Sequence, residues 1–167
     1  MDSLLPQEIV KLARQVIEEN ARIGRTIAVA DSCTGGLVSA ALTEIAGSSK
    51  VFDRGFVTYS NEAKQEILDV QTDILEAFGA VSVATAWAMA QGALKHSNAD
   101  IAVAVSGIAG PDGGSNFKPV GTVVFAWATR DSEEVNAEDR FIEGANRSEI
   151  RYKAAIDVLK LLLPPAA

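Results

Sequence analysis

The spacing of apolar residues along the chain predicts helices that alternate with short strands. Apolar side chains recur every three or four positions after Pro6, which predicts a first helix from Pro6 to Arg22. The same spacing predicts further helices at 36–46, from an N-cap at Asn61 through Lys64 and Ile67, at 72–78, at 83–95, and from about Asn146 to just before Pro164.

Short apolar runs between these helices predict strands at 26–30, 56–59, 101–105 and 122–128, with an edge strand at 140–142. The run at 101–105 is apolar throughout, which is typical of a strand covered on both faces. Alternating strands and helices predict an α/β fold, a three-layer sandwich with a mainly parallel or mixed central sheet flanked by helices. Because no linker or repeat interrupts the pattern, we expect one domain over residues 1–167.

The composition is ordinary for a globular protein, with 48% hydrophobic and 22% charged residues. The net charge of −7 argues against a nucleic-acid binder, because phosphate neutralisation needs clustered lysines and arginines. No apolar run reaches the length of a membrane span, and the N-terminus lacks the basic region of a secretory signal. The single cysteine, Cys33, fits a reducing compartment. We therefore expect a cytoplasmic protein that binds neither nucleic acid nor membranes.

The stretch from Asp31 to Gly36 joins a predicted strand to a predicted helix and has the sequence Asp-Ser-Cys-Thr-Gly-Gly. Such a turn lies at the carboxyl edge of a sheet, where a helix N-terminus offers N–H groups to an anion or an oxyanion. It contains three candidate nucleophiles, Ser32, Cys33 and Thr34, and its glycines let the backbone approach a ligand. The alternative is a structural turn in which Ser32 or Thr34 caps the helix.

Two other stretches follow predicted strands, at 58–64 and at 106–114. In open α/β sheets ligands bind beyond the carboxyl ends of the strands, so we expect the three stretches to form one site. The glycine-rich stretch at 106–114 can present N–H groups to a phosphate. It lacks the Gly-Lys-Ser/Thr ending of a Walker A loop and is not a dinucleotide-binding fingerprint.

A serine nucleophile needs a base, and Lys64 is the candidate. In the first turn of its helix, both the helix dipole and partial burial disfavour the protonated amine. The alternative is a solvated surface lysine. The only histidine, His96, ends a predicted helix and is expected to be structural, and one histidine with one cysteine does not support a metal site. We expect no metal and no cofactor.

Tyr59, Ser106 and Arg147 are further candidates, each with a structural alternative. Tyr59 can relay a proton or bind substrate, or it is an aromatic residue at a strand end. Ser106 either binds substrate or ends its strand. Arg147 and Arg151 are spaced to share one helix face, where they contact a phosphate or form a surface pair.

Four segments together resemble the CinA C-terminal domain family of competence/damage-inducible proteins. They are Asp-Ser-Cys-Thr-Gly-Gly at 31–36, Gly-Phe-Val-Thr-Tyr-Ser-Asn-Glu-Ala-Lys at 55–64, Gly-Ala-Val-Ser at 79–82, and Ser-Gly-Ile-Ala-Gly-Pro-Asp-Gly-Gly at 106–114 with Lys-Pro-Val-Gly-Thr at 118–122. The resemblance covers about Ile9 to Leu161, and the chain looks like the stand-alone form of the family.

This resemblance implies a metal-free amidase of pyridine nucleotide salvage, which converts nicotinamide mononucleotide and water to nicotinic acid mononucleotide and ammonia. On matching positions, Ser32 is the nucleophile, Lys64 the base and Tyr59 a supporting residue. An oxyanion is expected to be stabilised by N–H groups of the turn at 34–36. The expected substrate-binding residues are Thr34, Gly35, Gly36, Ser106, Gly107, Gly110 and Arg147.

The chain departs from the family pattern at two places. Family members commonly have Glu at the position of Asp31, and often have Gly-Asp-Arg where this chain has Gly-Ala-Asn-Arg at 144–147. Two alternatives stay open: Cys33 is the nucleophile as a thiolate, or the domain is a non-catalytic nucleotide-binding or sensing module. The alanine-rich helix at 83–95 further suggests a homo-oligomer, which we expect to be a dimer.

Overall fold

In the computed structural model, which describes residues 3–166, one five-stranded sheet lies between two layers of helices. The strands are β1 (Ile27–Asp31), β2 (Phe52–Val57), β3 (Ile101–Gly107), β4 (Thr122–Thr129) and β5 (Asn136–Phe141). The helices are α1 (Gln7–Ile23), α2 (Leu37–Thr43), α3 (Asn61–Leu68), α4 (Thr72–Phe78), α5 (Val83–Lys95) and α6 (Arg147–Leu161), with a 3-10 turn at Ser48–Lys50.

The strand order is β2-β1-β3-β4-β5. β1 pairs in parallel with both β2 and β3, whereas β3–β4 and β4–β5 are antiparallel. The predicted α/β class with a mixed sheet flanked by helices is confirmed.

The two faces of the sheet carry side chains of different size. Bulky residues point towards α1, α2 and α6, and alanines dominate the face covered by α3, α4 and α5. The bulky set is Ile27, Val29, Ile101, Val103, Val105, Val123 and Phe125, and the opposite set is Ala28, Ala30, Ala102, Ala104, Val124, Ala126 and Ala128. Since side chains alternate between faces, the small set lets the alanine-rich α5 pack close to the sheet.

Gly92 on α5 is in tight contact with the end of α3. A Cβ atom at this position would lie 2.8 Å from the carbonyl carbon of Leu68, and closer still to its oxygen. Gly92→Ala is therefore expected to lower the free energy of unfolding by about 1–3 kcal/mol, although alanine is the better helix former. Urea unfolding measures the change. The exposed neighbour Gln91→Ala is the control, and equal midpoints for the two variants would contradict this packing.

The two edge strands differ from their predicted positions. β2 covers 52–57 rather than 56–59, and β5 covers 136–141 rather than 140–142. Both are edge strands that carry several charged residues, so hydrophobic periodicity is weak there. As a consequence, Tyr59 lies two residues beyond β2 instead of ending it.

Two helix boundaries also differ. α2 ends at Thr43 rather than near residue 46, and the N-cap of α3 is Ser60 rather than Asn61. The hydroxyl of Ser60 accepts a hydrogen bond from the N–H of Ala63. The last helix begins after Asn146, as predicted, and the Asn146 side chain accepts from the N–H of Glu149.

No helix within residues 3–166 combines the length and the hydropathy that a membrane span requires. Cytoplasmic location, absence of nucleic-acid binding and dimerisation stay predictions from the sequence.

Candidate active site

Ser32 begins the turn that follows β1. Its N–H donates to the carbonyl of Val105 at 3.0 Å, which extends the pairing with β3 by one residue, and its carbonyl accepts from the N–H of Gly35 at 3.1 Å. The residue is 7% exposed. Backbone bonds on both sides therefore hold Ser32 at the carboxyl edge of the sheet, as the strand-turn-helix pattern predicts.

Lys64 reaches the same edge from α3. Its Nζ lies 3.0 Å from Ser32 Oγ and donates to the carbonyl of Thr58 at 2.7 Å. The residue is 1% exposed, which excludes a solvated surface lysine. Because Ser60 starts α3 shortly after β2 ends, the first turn of the helix brings Lys64 back towards β1.

The surroundings of Lys64 favour its neutral amine. Burial lowers the pKa of Lys64, and the nearby Cys33 and Asp31 raise it to a smaller extent. A neutral amine can donate to the carbonyl of Thr58 and still offer its lone pair to the hydroxyl of Ser32. This arrangement can accept a proton from a nucleophilic serine.

The surroundings of the Cys33 thiol keep it in its protonated form. The residue is 6% exposed, and burial, followed by the charge of Asp31, raises the pKa of its thiol to about 12. A thiol with this pKa stays protonated at neutral pH, and the thiolate is the reactive form. The raised pKa, together with the contact of Lys64 Nζ with Ser32 Oγ, argues against Cys33 as the nucleophile.

Asp31 holds the turn from within. Its buried carboxylate accepts hydrogen bonds from the Thr34 hydroxyl, from the N–H of Thr34 at 3.1 Å and from the N–H of Gly36 at 2.8 Å. Together with the bond from Gly35 to Ser32, these contacts occupy the N–H groups of residues 34–36. This corrects the prediction that these three N–H groups stabilise an oxyanion.

Arg151 holds the same turn from α6. Its Nε donates to the carbonyl of Cys33 at 3.2 Å, and its Nη2 donates to the carbonyl of Thr34 at 2.9 Å. Unlike Arg147, Arg151 is not among the residues that line the cleft between these elements, which argues against the predicted phosphate contact for Arg151.

Arg147 lies one turn earlier on α6 and reaches the other two stretches. It donates to the hydroxyl of Tyr59 at 2.9 Å and to the carbonyl of Gly110 at 2.8 Å. Tyr59 is 63% exposed, and its hydroxyl contacts Arg147 rather than Lys64. Gly110 contributes its carbonyl to Arg147.

Ser106 lies near the end of β3, and its hydroxyl donates to the carbonyl of Ala80 at 2.8 Å. This bond fixes the loop between α4 and α5 beside the candidate nucleophile. Neither Ala80 nor Val81 can be singled out from the sequence by itself, because both are small apolar residues without reactive groups. The only signal is the Gly-Ala-Val-Ser segment at 79–82.

These elements enclose a cleft of about 280 Å³, close to the lower end of the roughly 300–1,000 Å³ that small-molecule sites occupy. Its lining consists of Ser32, Cys33, Tyr59, Lys64, Ala80, Val81, Ser106, Gly107, Ala109 and Arg147. The predicted binding residues Thr34, Gly35, Gly36 and Gly110 are not in this lining. The three predicted stretches do converge on one cleft.

His96 is not in this lining and pairs with Asp69, with 2.7 Å between Nε2 and Oδ2. Over the described part of the chain, no group of three or more histidine, cysteine, aspartate or glutamate residues is arranged to hold a metal ion.

Known proteins resemble this chain over nearly its whole length. The CinA C-terminal domain model matches residues 9–164. The nicotinamide-nucleotide amidohydrolase PncC of Escherichia coli K12 is 48% identical over 93% of each chain. A putative competence-damage inducible protein of Symbiobacterium thermophilum is 46% identical over 96% of this chain but only 38% of its own length. The crystal structure of the competence/damage inducible protein CihA from Agrobacterium tumefaciens has a TM-score of 0.91 at 50% identity, over 96% of each chain. The chain belongs to the CinA C-terminal domain family.

Proposed function

We propose that this protein is a nicotinamide-nucleotide amidase, which hydrolyses nicotinamide mononucleotide to nicotinic acid mononucleotide and ammonia in pyridine nucleotide salvage. The observation that carries the proposal is the 3.0 Å approach of the buried Lys64 amine to the Ser32 hydroxyl in the wall of a small cleft. The relatives named nicotinamide-nucleotide amidohydrolase support the substrate assignment.

Acylation begins with Lys64 in its neutral form. The proton of the Ser32 hydroxyl passes to Lys64 Nζ while Oγ forms a bond to the carboxamide carbon, and the carbonyl oxygen becomes an oxyanion. The C–N bond then breaks as Lys64 returns the proton to the departing ammonia. The product of this half-reaction is an ester between Ser32 and the nicotinoyl group.

Deacylation reverses the same proton path. A water molecule enters the place of ammonia, gives its proton to Lys64 Nζ, and attacks the ester carbon. The C–Oγ bond breaks, Ser32 recovers its proton from Lys64, and nicotinic acid mononucleotide leaves. One lysine thus serves as base and acid in both halves, which the 3.0 Å contact with Ser32 allows.

Arg147 is the proposed phosphate-binding residue. It lines the same cleft as the buried Ser32–Lys64 pair, and its planar group is suited to a phosphate. Tyr59 and Gly110 orient the guanidinium. Tyr59 is accordingly proposed to support the reaction by positioning Arg147. For Tyr59 to relay a proton to Lys64, the tyrosine side chain would have to move.

Arg147→Ala is expected to raise KM for the mononucleotide about ten- to hundredfold with a smaller effect on kcat. The reason is that a charge-assisted hydrogen bond contributes about 1.5–3 kcal/mol and the phosphate is remote from the reacting bond. Steady-state kinetics with the mononucleotide and with nicotinamide riboside measure the effect. In the variant the preference for the phosphorylated substrate should largely disappear.

The control for Arg147 is Lys153→Ala on the same helix, since Lys153 pairs with Glu149 outside the cleft lining. Its kinetic constants should match those of the wild type. Equal wild-type activity on riboside and mononucleotide would remove the phosphate role.

Ammonia release from nicotinamide mononucleotide by the purified protein tests the proposed function, with the acid product identified by mass spectrometry. Nucleotide binding without ammonia release would instead indicate a binding or sensing module.

A further inference from the structure

The turn after β1 contains one backbone N–H group that differs from its neighbours. The N–H groups of Thr34, Gly35 and Gly36 donate to the Asp31 carboxylate or to the Ser32 carbonyl. Within residues 3–166, the N–H of Cys33 donates to no other residue. It belongs to the residue that directly follows the proposed nucleophile.

The direction of this N–H follows from the peptide plane that it shares with Ser32. In a trans peptide the C=O and the N–H point to opposite sides. The Ser32 carbonyl points into the turn, where it accepts from Gly35, so the N–H of Cys33 points away from the turn interior. Ser32 and Cys33 both line the cleft, so a group bonded to Ser32 Oγ can lie beside this N–H.

Two charged side chains hold the residues of the turn that follow this peptide plane. The Asp31 carboxylate gathers three donors of the turn, and the Arg151 guanidinium gathers the carbonyls of Cys33 and Thr34. Asp31 is 1% exposed, and a buried carboxylate requires such donors.

We propose that Asp31 is a positioning residue, which orients the Ser32–Cys33 peptide so that the N–H of Cys33 donates to the oxyanion formed on the substrate carbonyl. This inference rests on the proposed function, in which Ser32 attacks a carboxamide. Donors placed in advance at the developing charge stabilise the transition state more than the substrate. The turn would therefore stabilise the oxyanion through the N–H of Cys33, while the N–H groups of Thr34, Gly35 and Gly36 hold the turn in place.

The chemistry of Asp31 distinguishes it from an uncharged substitute. A carboxylate only accepts hydrogen bonds, and all of its turn contacts are donors. In Asp31→Asn the side-chain NH₂ would face one of these donors, which forces the turn to rearrange. Asp31→Glu keeps the acceptor character and is expected to retain more activity than Asp31→Asn.

The test compares the wild type, Asp31→Asn and Asp31→Glu. Asp31→Asn is expected to lower kcat for nicotinamide mononucleotide about 10²–10³-fold, the effect of losing an oxyanion donor. Its Kd for the product nicotinic acid mononucleotide should change less than threefold, because the proposed phosphate contact is at Arg147, which bonds to Tyr59 and Gly110 and not to Asp31. Pyridine-3-boronic acid, which forms a tetrahedral adduct on a serine hydroxyl, should bind the Asn variant at least tenfold more weakly than the wild type.

The control for general destabilisation is Asn20→Ala. Asn20 is a buried polar residue that donates to Val16 and Leu162, and it is not in the cleft lining. This variant should have a lower Tm but an unchanged kcat. If Asp31→Asn does not fold, Thr34→Val removes one donor to the same carboxylate, and its kcat should fall about two- to tenfold without a change in product binding.

If Asp31→Asn has the same kcat as the wild type, the inference is overturned and the proposed function stays intact. If Asp31→Asn does not fold, an unchanged kcat in Thr34→Val has the same consequence. If the wild type releases no ammonia, the proposed function fails, and boronate binding still tests Asp31 separately. Equal boronate binding to wild type and Asp31→Asn, or to wild type and Thr34→Val when the Asn variant does not fold, would overturn the positioning role in that case as well.

Discussion

Ser32→Ala is expected to abolish ammonia release, with kcat reduced by at least about 10⁴-fold. Removal of the attacking atom leaves only binding and oxyanion stabilisation, and losses of this size or larger are typical for serine nucleophiles. Ser32 is the only described hydroxyl within hydrogen-bonding distance of Lys64 Nζ. Steady-state and single-turnover assays on nicotinamide mononucleotide measure the loss, and circular dichroism checks the fold.

The matched control is the neighbouring thiol. Cys33→Ala is expected to keep kcat within about tenfold of the wild type, because a buried thiol with a pKa of about 12 is not a nucleophile at neutral pH. Its loss of packing should appear in Tm instead. An active Ser32→Ala variant beside an inactive Cys33→Ala variant would assign the nucleophile to Cys33.

The central part of the fold could be predicted because its sequence is unambiguous. β1 and β3 are buried along their length, and their apolar runs stand out against the polar segments around them. The edge strand β2 has the sequence Phe-Asp-Arg-Gly-Phe-Val and is largely exposed. It is a strand because it pairs with β1, and this tertiary cause is not visible in local periodicity.

The proximity of Ser32 and Lys64 could be anticipated for a topological reason. Both follow strands that pair in parallel, so the ends of β1 and β2 meet at one edge of the sheet. The sequence indicates that the residues share this edge, and the hydrogen bond between them is observed only in three dimensions.

The hydrogen-bond state of the turn could not be predicted in the same way. The motif correctly suggests several N–H groups near Ser32, but their availability depends on which acceptors already use them. Asp31 occupies two of them, and Arg151 contacts the turn from 117 residues away. Tyr59 likewise has its contact with Arg147, 88 residues distant, which the sequence spacing does not indicate.

Lys64→Arg and Lys64→Met are both expected to lower kcat/KM by about 10³-fold or more. The proposed role requires a lone pair on Nζ, which the guanidinium of arginine and the thioether of methionine cannot supply as a base near neutral pH. Lys64→Arg also keeps a positive charge at this position. A lysine that only attracted the phosphate would therefore tolerate this substitution, whereas a lysine that accepts a proton would not. Lys118→Arg is the matched control, since Lys118 also donates to a backbone carbonyl but is not in the cleft lining.

The pH dependence tests the same role in the wild type. Burial lowers the pKa of Lys64, so kcat/KM should rise with pH along a limb below the usual lysine range, and the residual activity of Lys64→Met should lack this limb. The lowered pKa of Lys64 should also make the free energy of unfolding depend on pH. Because the unfolded chain binds the Lys64 proton more tightly than the folded chain, the stability of the wild type relative to Lys64→Met should increase as pH rises through the interval between the two pKa values.

Stability and activity thus report one titration by independent measurements. Lys64 is identified as the group that must lose its proton if kcat/KM levels off at the pH where the stability relative to Lys64→Met begins to increase, because both points mark the pKa of Lys64 in the folded chain. Near-normal activity of Lys64→Arg, with an unchanged pH profile, would exclude Lys64 as the base. The proton acceptor would then have to be Tyr59 or a water molecule in the cleft, and a shift of the limb in Tyr59→Phe would distinguish these two.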